Sequence, residues 1–263
     1  MLIKPNLRIL TVGDGDLSFS SAIVRYHRPK LITATIFDSL ADLEKKYGME
    51  NFSHLTKHGA NLLSEFDVTD PESWQGLGHQ QFDLVIFQFP LIPNDISEVQ
   101  HLASQQLGDA NLRHRLLLRC FLINAQRYFL DPNGARLAVI TSKDVKPYRQ
   151  WDIEQSLTLN TSMEYLGQRP FNFDDFLGYQ IRNVDRDKFV NQTQGISYYY
   201  SDTHQHDLGL SKPRYLTQDS PHYCGMCRVG PMLTKPDQVA HQQSKRHVKM
   251  SGFDSRWRAY LSD

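Results

Sequence analysis

Short apolar runs alternate with amphipathic stretches along the first part of the chain. Leu7–Val12 is apolar and stops at Gly13, and Leu17–Tyr26 follows with helical spacing. Leu31–Phe37 reads as a second strand, closed by Asp38 and followed by a helix over Leu40–Tyr47. Ala60–Phe66 leads into Asp67, and Phe82–Phe89 is a buried strand closed by Pro90. Asn111–Phe129 carries helical periodicity through Leu112, Leu116, Cys120, Ile123 and Tyr128. Ala135–Thr141 is a further strand, set up by the turn Asp131-Pro132-Asn133-Gly134. Strands that are apolar throughout, separated by amphipathic helices, predict an α/β fold with a parallel sheet covered on both faces.

Beyond Trp151 the pattern predicts a helix over Asp152–Leu159 and strands over Ser162–Gln168 and Gly178–Val184. From Asn191 to Pro221 the chain turns polar around a Tyr198-Tyr199-Tyr200 cluster, which predicts a connecting segment. The expected organisation is a sheet domain over 1–190, a linker over 191–220 and a small module over 221–263.

Composition sharpens this picture. An apolar share of 40% with 22% charged residues is ordinary for a soluble protein. No apolar run approaches the ~20 residues that span a bilayer, so no membrane association is expected. The start, MLIKPNLRILTVG, has no signal-peptide core, so a cytoplasmic location is expected, or a nucleolar one in a eukaryotic source. Three cysteines argue against a disulfide scaffold, and Cys120 reads as a small core residue. Net charge is zero, yet Pro221–Arg258 holds seven basic residues against two acids. That asymmetry marks a specialised tail.

Chemistry concentrates first in Val12-Gly13-Asp14-Gly15-Asp16-Leu17-Ser18, the turn between the first strand and the first helix. Glycines there let backbone N–H groups approach a ligand. Ser18 replaces the third glycine of a dinucleotide fingerprint, and the two acids would repel a pyrophosphate, which weakens a nicotinamide oxidoreductase reading. The same acids suit a cationic ligand such as S-adenosylmethionine. Asp38 ends the second strand where an acid can accept hydrogen bonds from ribose hydroxyls, and Asp67 ends the third, where it can face an adenine amino group. Helix capping is the competing use of each of these acids.

The segments VGDGDLSFS, FDSLADLEKKYG, FDLVIFQFP and PYRQWDIE resemble, in order, the Rossmann-like domain of ribosomal-RNA uridine-N3 methyltransferases, from about Arg8 to about Val184. The resemblance implies a class I methyltransferase sheet and transfer of a methyl group from S-adenosylmethionine to uridine N3 of RNA. It further implies that Gly13, Asp14 and Gly15 hold the methionine part, that Asp38 holds the ribose, and that Phe87-Gln88-Phe89-Pro90 lines the acceptor pocket. The family usually reads Asn-Phe-Pro-His there, whereas this chain has Gln88-Phe89-Pro90-Leu91. A non-catalytic RNA-binding or ribosome-assembly protein that keeps the fold is therefore the alternative. Gln88 is suited to an imide edge, because its amide both donates and accepts. Strand alternation puts Phe87 and Phe89 on one face, one for the core and one for the base. Lys143 and Asp144 read either as groups that orient or deprotonate the acceptor or as a surface ion pair.

The tail supplies the second concentration. Cys224-x-x-Cys227, then thirteen residues, then His241-x5-His247 fits a two-cysteine, two-histidine zinc finger with structural Zn2+, both histidines on one helix beginning near Asp237. A redox Cys-x-x-Cys is the rival, without a thioredoxin-like context. HQQSKRH resembles the end of matrin-type and double-stranded-RNA-binding fingers. Lys245, Arg246, Lys249, Arg256 and Arg258 are then expected to meet RNA phosphates, with docking to a protein as the alternative.

Overall fold

A computed structural model describes residues 1, 3–74, 76–92, 98–182, 194–203, 206–217 and 222–262. Its centre is one sheet of seven strands: β1 (Arg8–Val12), β2 (Leu31–Thr35), β3 (Asn61–Leu63), β4 (Leu84–Gln88), β5 (Leu137–Lys143), β6 (Glu164–Phe171) and β7 (Gly195–Ser201). The order is β3-β2-β1-β4-β5-β7-β6. The first five strands run parallel, and β7 lies antiparallel between β5 and β6. This is a Rossmann-like methyltransferase sheet. The helices are α1 (Ser18–His27), α2 (Leu40–Tyr47), α3 (Glu50–Lys57), α4 (Glu98–Leu107), α5 (Ala110–Asn124), α6 (Arg214–Thr217), α7 (Lys235–Gln242) and α8 (Lys245–Tyr260). Among the described residues no helix is long and apolar enough to cross a membrane.

Every residue of β4 is buried, as a central parallel strand covered on both faces requires. Leu10, Val12, Val85 and Phe87 point to one face, where Leu118 and Phe121 of α5 cover them. Ile9, Leu84 and Ile86 point to the other, where Phe19 and Ile23 of α1 pack.

The structure departs from the sequence-based expectation at the antiparallel end. The stretch 191–220, read as a connector, contains β7, and Tyr198, Tyr199 and Tyr200 are each at most 1% exposed. Hydropathy treats a phenol as polar, but in a strand the ring packs, and the Tyr200 hydroxyl finds a partner by donating to the Ile153 carbonyl at 2.7 Å. Gly178–Val184 was expected to be that strand. As far as Arg182 it is irregular, with Gly178 at φ +89°, and 183 and 184 lie outside the described residues.

Nor is there a helix over Asp152–Leu159. Ile153 and Leu157 have helical spacing, but the carbonyls of this stretch serve side chains instead. Leu157 and Leu159 accept from Arg119 at 2.8 and 2.5 Å, and Ser156 accepts from the Trp257 indole at 2.9 Å.

The C-terminal segment packs against the sheet domain. Met250, Phe253 and Trp257 of α8 share a buried cluster with Leu107, Leu112 and Leu116 of α4 and α5, and with Cys227. Beside it, Arg228 donates to Asp144 at 2.8 Å and to Glu154 at 2.6 Å, and Tyr215 of α6 donates to the other Glu154 oxygen at 3.1 Å.

Trp257→Ala should destabilise the protein by about 3–5 kcal/mol, because it empties a fully buried site and leaves the Ser156 carbonyl unpaired. Val248→Ala, on the same helix but 60% exposed, should stay within roughly 0.5 kcal/mol of wild type. Urea denaturation checks both; equal midpoints for the two variants would contradict a shared core.

Candidate cofactor cleft and metal-ligand cluster

Strand β1 delivers the chain into the glycine turn. Gly13 has φ +62°, and a Cβ on it would sit 3.2 Å from the Phe87 ring, so glycine meets both the backbone and the space requirement. The turn is pinned to β2: Gly13 N donates to Thr35 Oγ1 at 3.2 Å and Asp14 N donates to the Thr35 carbonyl at 2.8 Å. The N–H groups of Gly15 and Asp16 have no protein acceptor among the described residues, and both residues line the adjoining cleft.

The acids of the turn are held more tightly by the protein than their sequence position suggests. Asp14 caps α1 from below, accepting from Ser20 N at 2.7 Å, Ser20 Oγ at 2.6 Å and Phe19 N at 3.4 Å. Burial, helped by neighbouring Asp16, pushes its carboxyl up to about 7, against the pull of those donors. Asp16 accepts from Ser18 N at 3.0 Å and from Arg182 Nε at 2.6 Å. The Arg182 guanidinium lies 4.9 Å from the Tyr47 ring centroid, and Arg182 forms part of the cleft wall.

The cleft encloses about 1060 Å³ of non-atom space, part of it open to solvent, at the carboxyl ends of β1, β2 and β4. Asp38 and Asp67 both line it. Asp38 is bridged to Lys46 at 2.8 Å and remains about a quarter exposed. One carboxylate oxygen of Asp67 accepts from Thr69 N at 2.8 Å and from Thr69 Oγ1 at 2.7 Å. Between these acids, Phe66, Val68, Phe87 and Leu117 make an apolar wall.

The end of β4 forms another side of the cleft, the one read from sequence as the acceptor pocket. Gln88 is 8% exposed, and its Oε1 and Nε2 make no hydrogen bond of ordinary length and angle among the described residues; the Tyr179 hydroxyl lies near enough for a weak contact with the amide. A buried amide so weakly satisfied is costly and is left with hydrogen-bonding capacity on the cleft side. Phe89 has φ +47°, which ends the strand and turns its ring away from the Phe87 side. Phe87 packs on Phe121, centroids 5.3 Å apart, whereas Phe89 lies parallel to Phe173 at 6.1 Å and to Tyr179 at 6.5 Å. The shared face expected from alternation is therefore absent, because the strand stops at Gln88.

Pro90 lines the cleft but Lys143 does not; its ammonium lies 5.9 Å from the Tyr148 ring centroid. Asp144 pairs with Arg149 and Arg228 rather than with Lys143, so the surface pair suggested for these two neighbours is not the one formed.

Three neighbours were not foreseen. Tyr179 and Arg182 come from the stretch read as a closing strand, where nothing in the pattern marked either as facing a cleft. His114 of α5 reaches the loop after Pro90, accepting from Ile92 N at 3.3 Å while stacking on Trp151 at 4.3 Å. Burial lowers its pKa to about 4, so the imidazole is neutral at physiological pH. Its helical position gave no signal, since a histidine on an amphipathic helix reads as surface.

The second constellation lies in the tail. Cys224 and Val229 exchange backbone hydrogen bonds at 2.8 and 3.1 Å, closing a knuckle that turns both thiols one way. His241 sits at the end of α7 and His247 in the first turn of α8, where Ser244 accepts from His247 N at 3.1 Å. The histidines thus occupy two helices rather than the single one expected; Ser244, an N-cap residue, starts a new helix between them. The four ligand atoms lie within 4.8 Å of one another. His247 Nδ1 is 3.7 Å from each sulfur and 3.2 Å from His241 Nε2. Bonds of about 2.0–2.3 Å to a tetrahedral zinc would put ligand atoms roughly 3.3–3.8 Å apart, so the cluster fits that ion. The contact between the two thiols, with His241 and His247, lowers the Cys224 pKa and raises that of Cys227, so one thiolate is favoured and the second proton would leave on metal binding.

A family model for BMT5-like proteins, described as rRNA (uridine-N3-)-methyltransferase BTM5-like, matches residues 10–183. An uncharacterized protein of Arabidopsis thaliana is 29% identical over 180 residues, covering 65% of this chain and 79% of that protein. Heavy metal-associated isoprenylated plant protein 41, also from Arabidopsis thaliana, is 29% identical over 185 residues, covering 68% of this chain and 33% of its own. Among solved structures, a methyltransferase from Pyrococcus furiosus covers 76% of this chain and 77% of its own, at 11% identity and a TM-score of 0.44. An rRNA methylase from Streptococcus thermophilus covers 76% and 88%, at 11% identity and a TM-score of 0.38. The family match begins in β1 and takes in the glycine turn, both strand-end acids, the Gln88 loop and the Arg182 wall; the chain belongs to the BMT5-like rRNA (uridine-N3-)-methyltransferase family.

Proposed function

We propose that this RNA methyltransferase uses S-adenosylmethionine to methylate N3 of a uridine in ribosomal RNA, and that zinc on Cys224, Cys227, His241 and His247 holds a finger that helps capture the RNA. The observation that carries the reading is the buried, weakly satisfied amide of Gln88 in the cleft that also holds the glycine turn.

The residues suit the cofactor. The N–H groups of Gly15 and Asp16 can meet a carboxylate, Asp38 can accept from ribose hydroxyls, and Asp67 can accept from the adenine amino group beside the apolar wall. Bound S-adenosylmethionine would supply an electrophilic methyl group; alignment of the acceptor falls to the chain. The Gln88 amide can donate through Nε2 to a uracil carbonyl oxygen beside N3, which leaves the in-plane approach to N3 for the methyl group, and Phe89 offers a ring face to the base. Holding the nitrogen in line with the methyl group can supply most of the rate. The N3 proton must leave as the new bond forms, and the open mouth of the cleft gives it a route to water. Four metal ligands would staple a segment too short to fold by itself, which makes the zinc structural.

Three outcomes are expected. Calorimetry should detect S-adenosylmethionine binding, weakened about 10–100-fold in Asp38→Ala. Gln88→Ala should keep that affinity and lose at least about tenfold in methyl transfer to ribosomal RNA, scored by mass mapping. An intact protein that binds no S-adenosylmethionine would refute the cofactor, and RNA left unmodified by wild type would favour the non-catalytic alternative.

The Asp14 carboxyl ionises as pH rises through about 7, adding negative charge beside a sulfonium. Affinity for S-adenosylmethionine relative to its neutral-sulfur product should therefore climb about three- to tenfold from roughly pH 6 to pH 8. A ratio that stays flat would place the sulfonium elsewhere.

Elemental analysis should find about one zinc per chain, and chelation should lower the melting temperature and weaken RNA affinity while S-adenosylmethionine still binds. A protein whose melting and RNA binding both ignore chelator does not depend on zinc.

A further inference from the structure

Outside the cleft, positive charge collects where the tail meets the sheet domain. A groove enclosing about 1010 Å³ of non-atom space, partly open to solvent, has Lys146 and Arg149 on one wall and Lys245, Arg246 and Lys249 on the other. Arg228, Met226 and Met250 form its floor, and none of the described residues lining it is acidic. The two walls come from parts of the chain about a hundred residues apart, so their convergence is a product of the fold.

Neutralisation inside the groove is incomplete. Arg228 is tied to Asp144 and Glu154, and Arg149 clasps the same Asp144 through Nε at 2.8 Å and Nη2 at 3.0 Å. Two carboxylates thus offset these two guanidinium groups, and the uncompensated charge of the groove rests on Lys146, Lys245, Arg246 and Lys249. Arg246 donates to the Cys227 carbonyl, which fixes its side chain without cancelling its charge. Lys146, Lys245 and Lys249 are exposed and have no ion pair among the described residues; the Lys249 ammonium lies 5.3 Å from the Phe253 ring centroid. Ordinary solvated surfaces intersperse both signs of charge, and a concave face that omits one sign suits a ligand carrying the other.

Position selects the ligand. Gln88 pairs with Thr141 in the sheet, and β5 ends two residues later in the loop that bears Lys146 and Arg149. The same loop runs on to Trp151, which stacks on His114, whose imidazole accepts from Ile92 at the cleft rim. The two cavities share no described lining residue, but one loop and the Trp151–His114 stack connect a wall of the groove with the rim of the cleft, the direction a polynucleotide presenting a base to Gln88 would take.

We propose that this groove is a phosphate track for RNA, built jointly by the 146–150 loop of the sheet domain and the first turns of α8, that holds the backbone flanking the target nucleotide. It rests on the reading of the protein as an RNA methyltransferase. It differs from a finger that binds RNA alone, because half of the track belongs to the sheet domain. Phosphate contacts position a strand without reading its sequence, so the track sets register and leaves choice of base to the cleft.

The test takes the full zinc-loaded chain, a fluorescein-labelled RNA hairpin of mixed sequence and a second hairpin of unrelated sequence. Anisotropy is read across a salt series. Lys146→Ala with Lys249→Ala, one residue from each wall, should weaken binding about tenfold or more to both hairpins and flatten the salt slope by about 2. Affinity for S-adenosylmethionine and the melting temperature should hold, since both side chains are exposed and lack ion pairs. Lys235→Ala, outside the groove, should leave the slope near wild type.

An unchanged slope in the double variant overturns the track. So does loss confined to Lys249→Ala with Lys146→Ala silent, which would mean a finger acting alone. A poly-glutamate peptide that competes as well as RNA of equal charge would make the groove a protein-docking site and likewise overturn the proposal. RNA that binds through the groove but is never methylated counts against the catalytic reading and leaves the track standing.

Discussion

Parallel strands must be joined by crossovers, and here the crossovers leave to opposite faces on either side of the β1–β4 pair. Helix α1 covers the face of Ile9 and Ile86, and α5 covers that of Val12 and Phe87. Between them the carboxyl ends of the strands open into a crevice that neither helix can fill. The glycine turn, Asp38 and Gln88 all gather there because each follows or ends a strand of that parallel set. β7 runs against it, β6 runs with it again, and the two lengthen the sheet beyond β5.

The tail is joined to this frame by buried polarity as well as by apolar contact. Arg228, Glu154 and Asp144 form a network whose Glu154 carboxylate is 1% exposed, with both oxygens occupied. Buried ion pairs return little net stability after desolvation, but a misdocked tail would leave charges stranded in the interior. The network thus selects one seating of the tail, while Trp257 and Phe253 supply the apolar burial. One seating keeps Lys245 and Lys249 across from Lys146 and Arg149.

Much of the frame was legible in the sequence. Five apolar runs gave the parallel strands, because strands covered on both faces cannot hide their composition. The tail's ligand residues were legible because few other uses explain two cysteines and two histidines at that spacing. The failures have specific causes. Asp14 looked free to face a ligand, yet it caps α1 from three residues before the helix's N-cap position, an arrangement that depends on the turn's shape. Phe89 was assigned by alternation, which fails when a residue takes a positive φ. The tyrosines of β7 were lost to a polar context, and the run at 152–159 mimicked a helix because Ile153 and Leu157 are spaced like one. The basic groove had no linear signature, since neither wall is unusual alone.

The seating of Trp257 bears on how the protein is made. Synthesis proceeds from the N-terminus, so the apolar face of Leu107, Leu112 and Leu116 exists long before Met250, Phe253 and Trp257 emerge to cover it. During that interval the nascent sheet domain presents an adhesive surface to chaperones and to other unfinished chains. A ribosome that stalls within the last turns of α8 would release a product with its glycine turn formed and that surface bare.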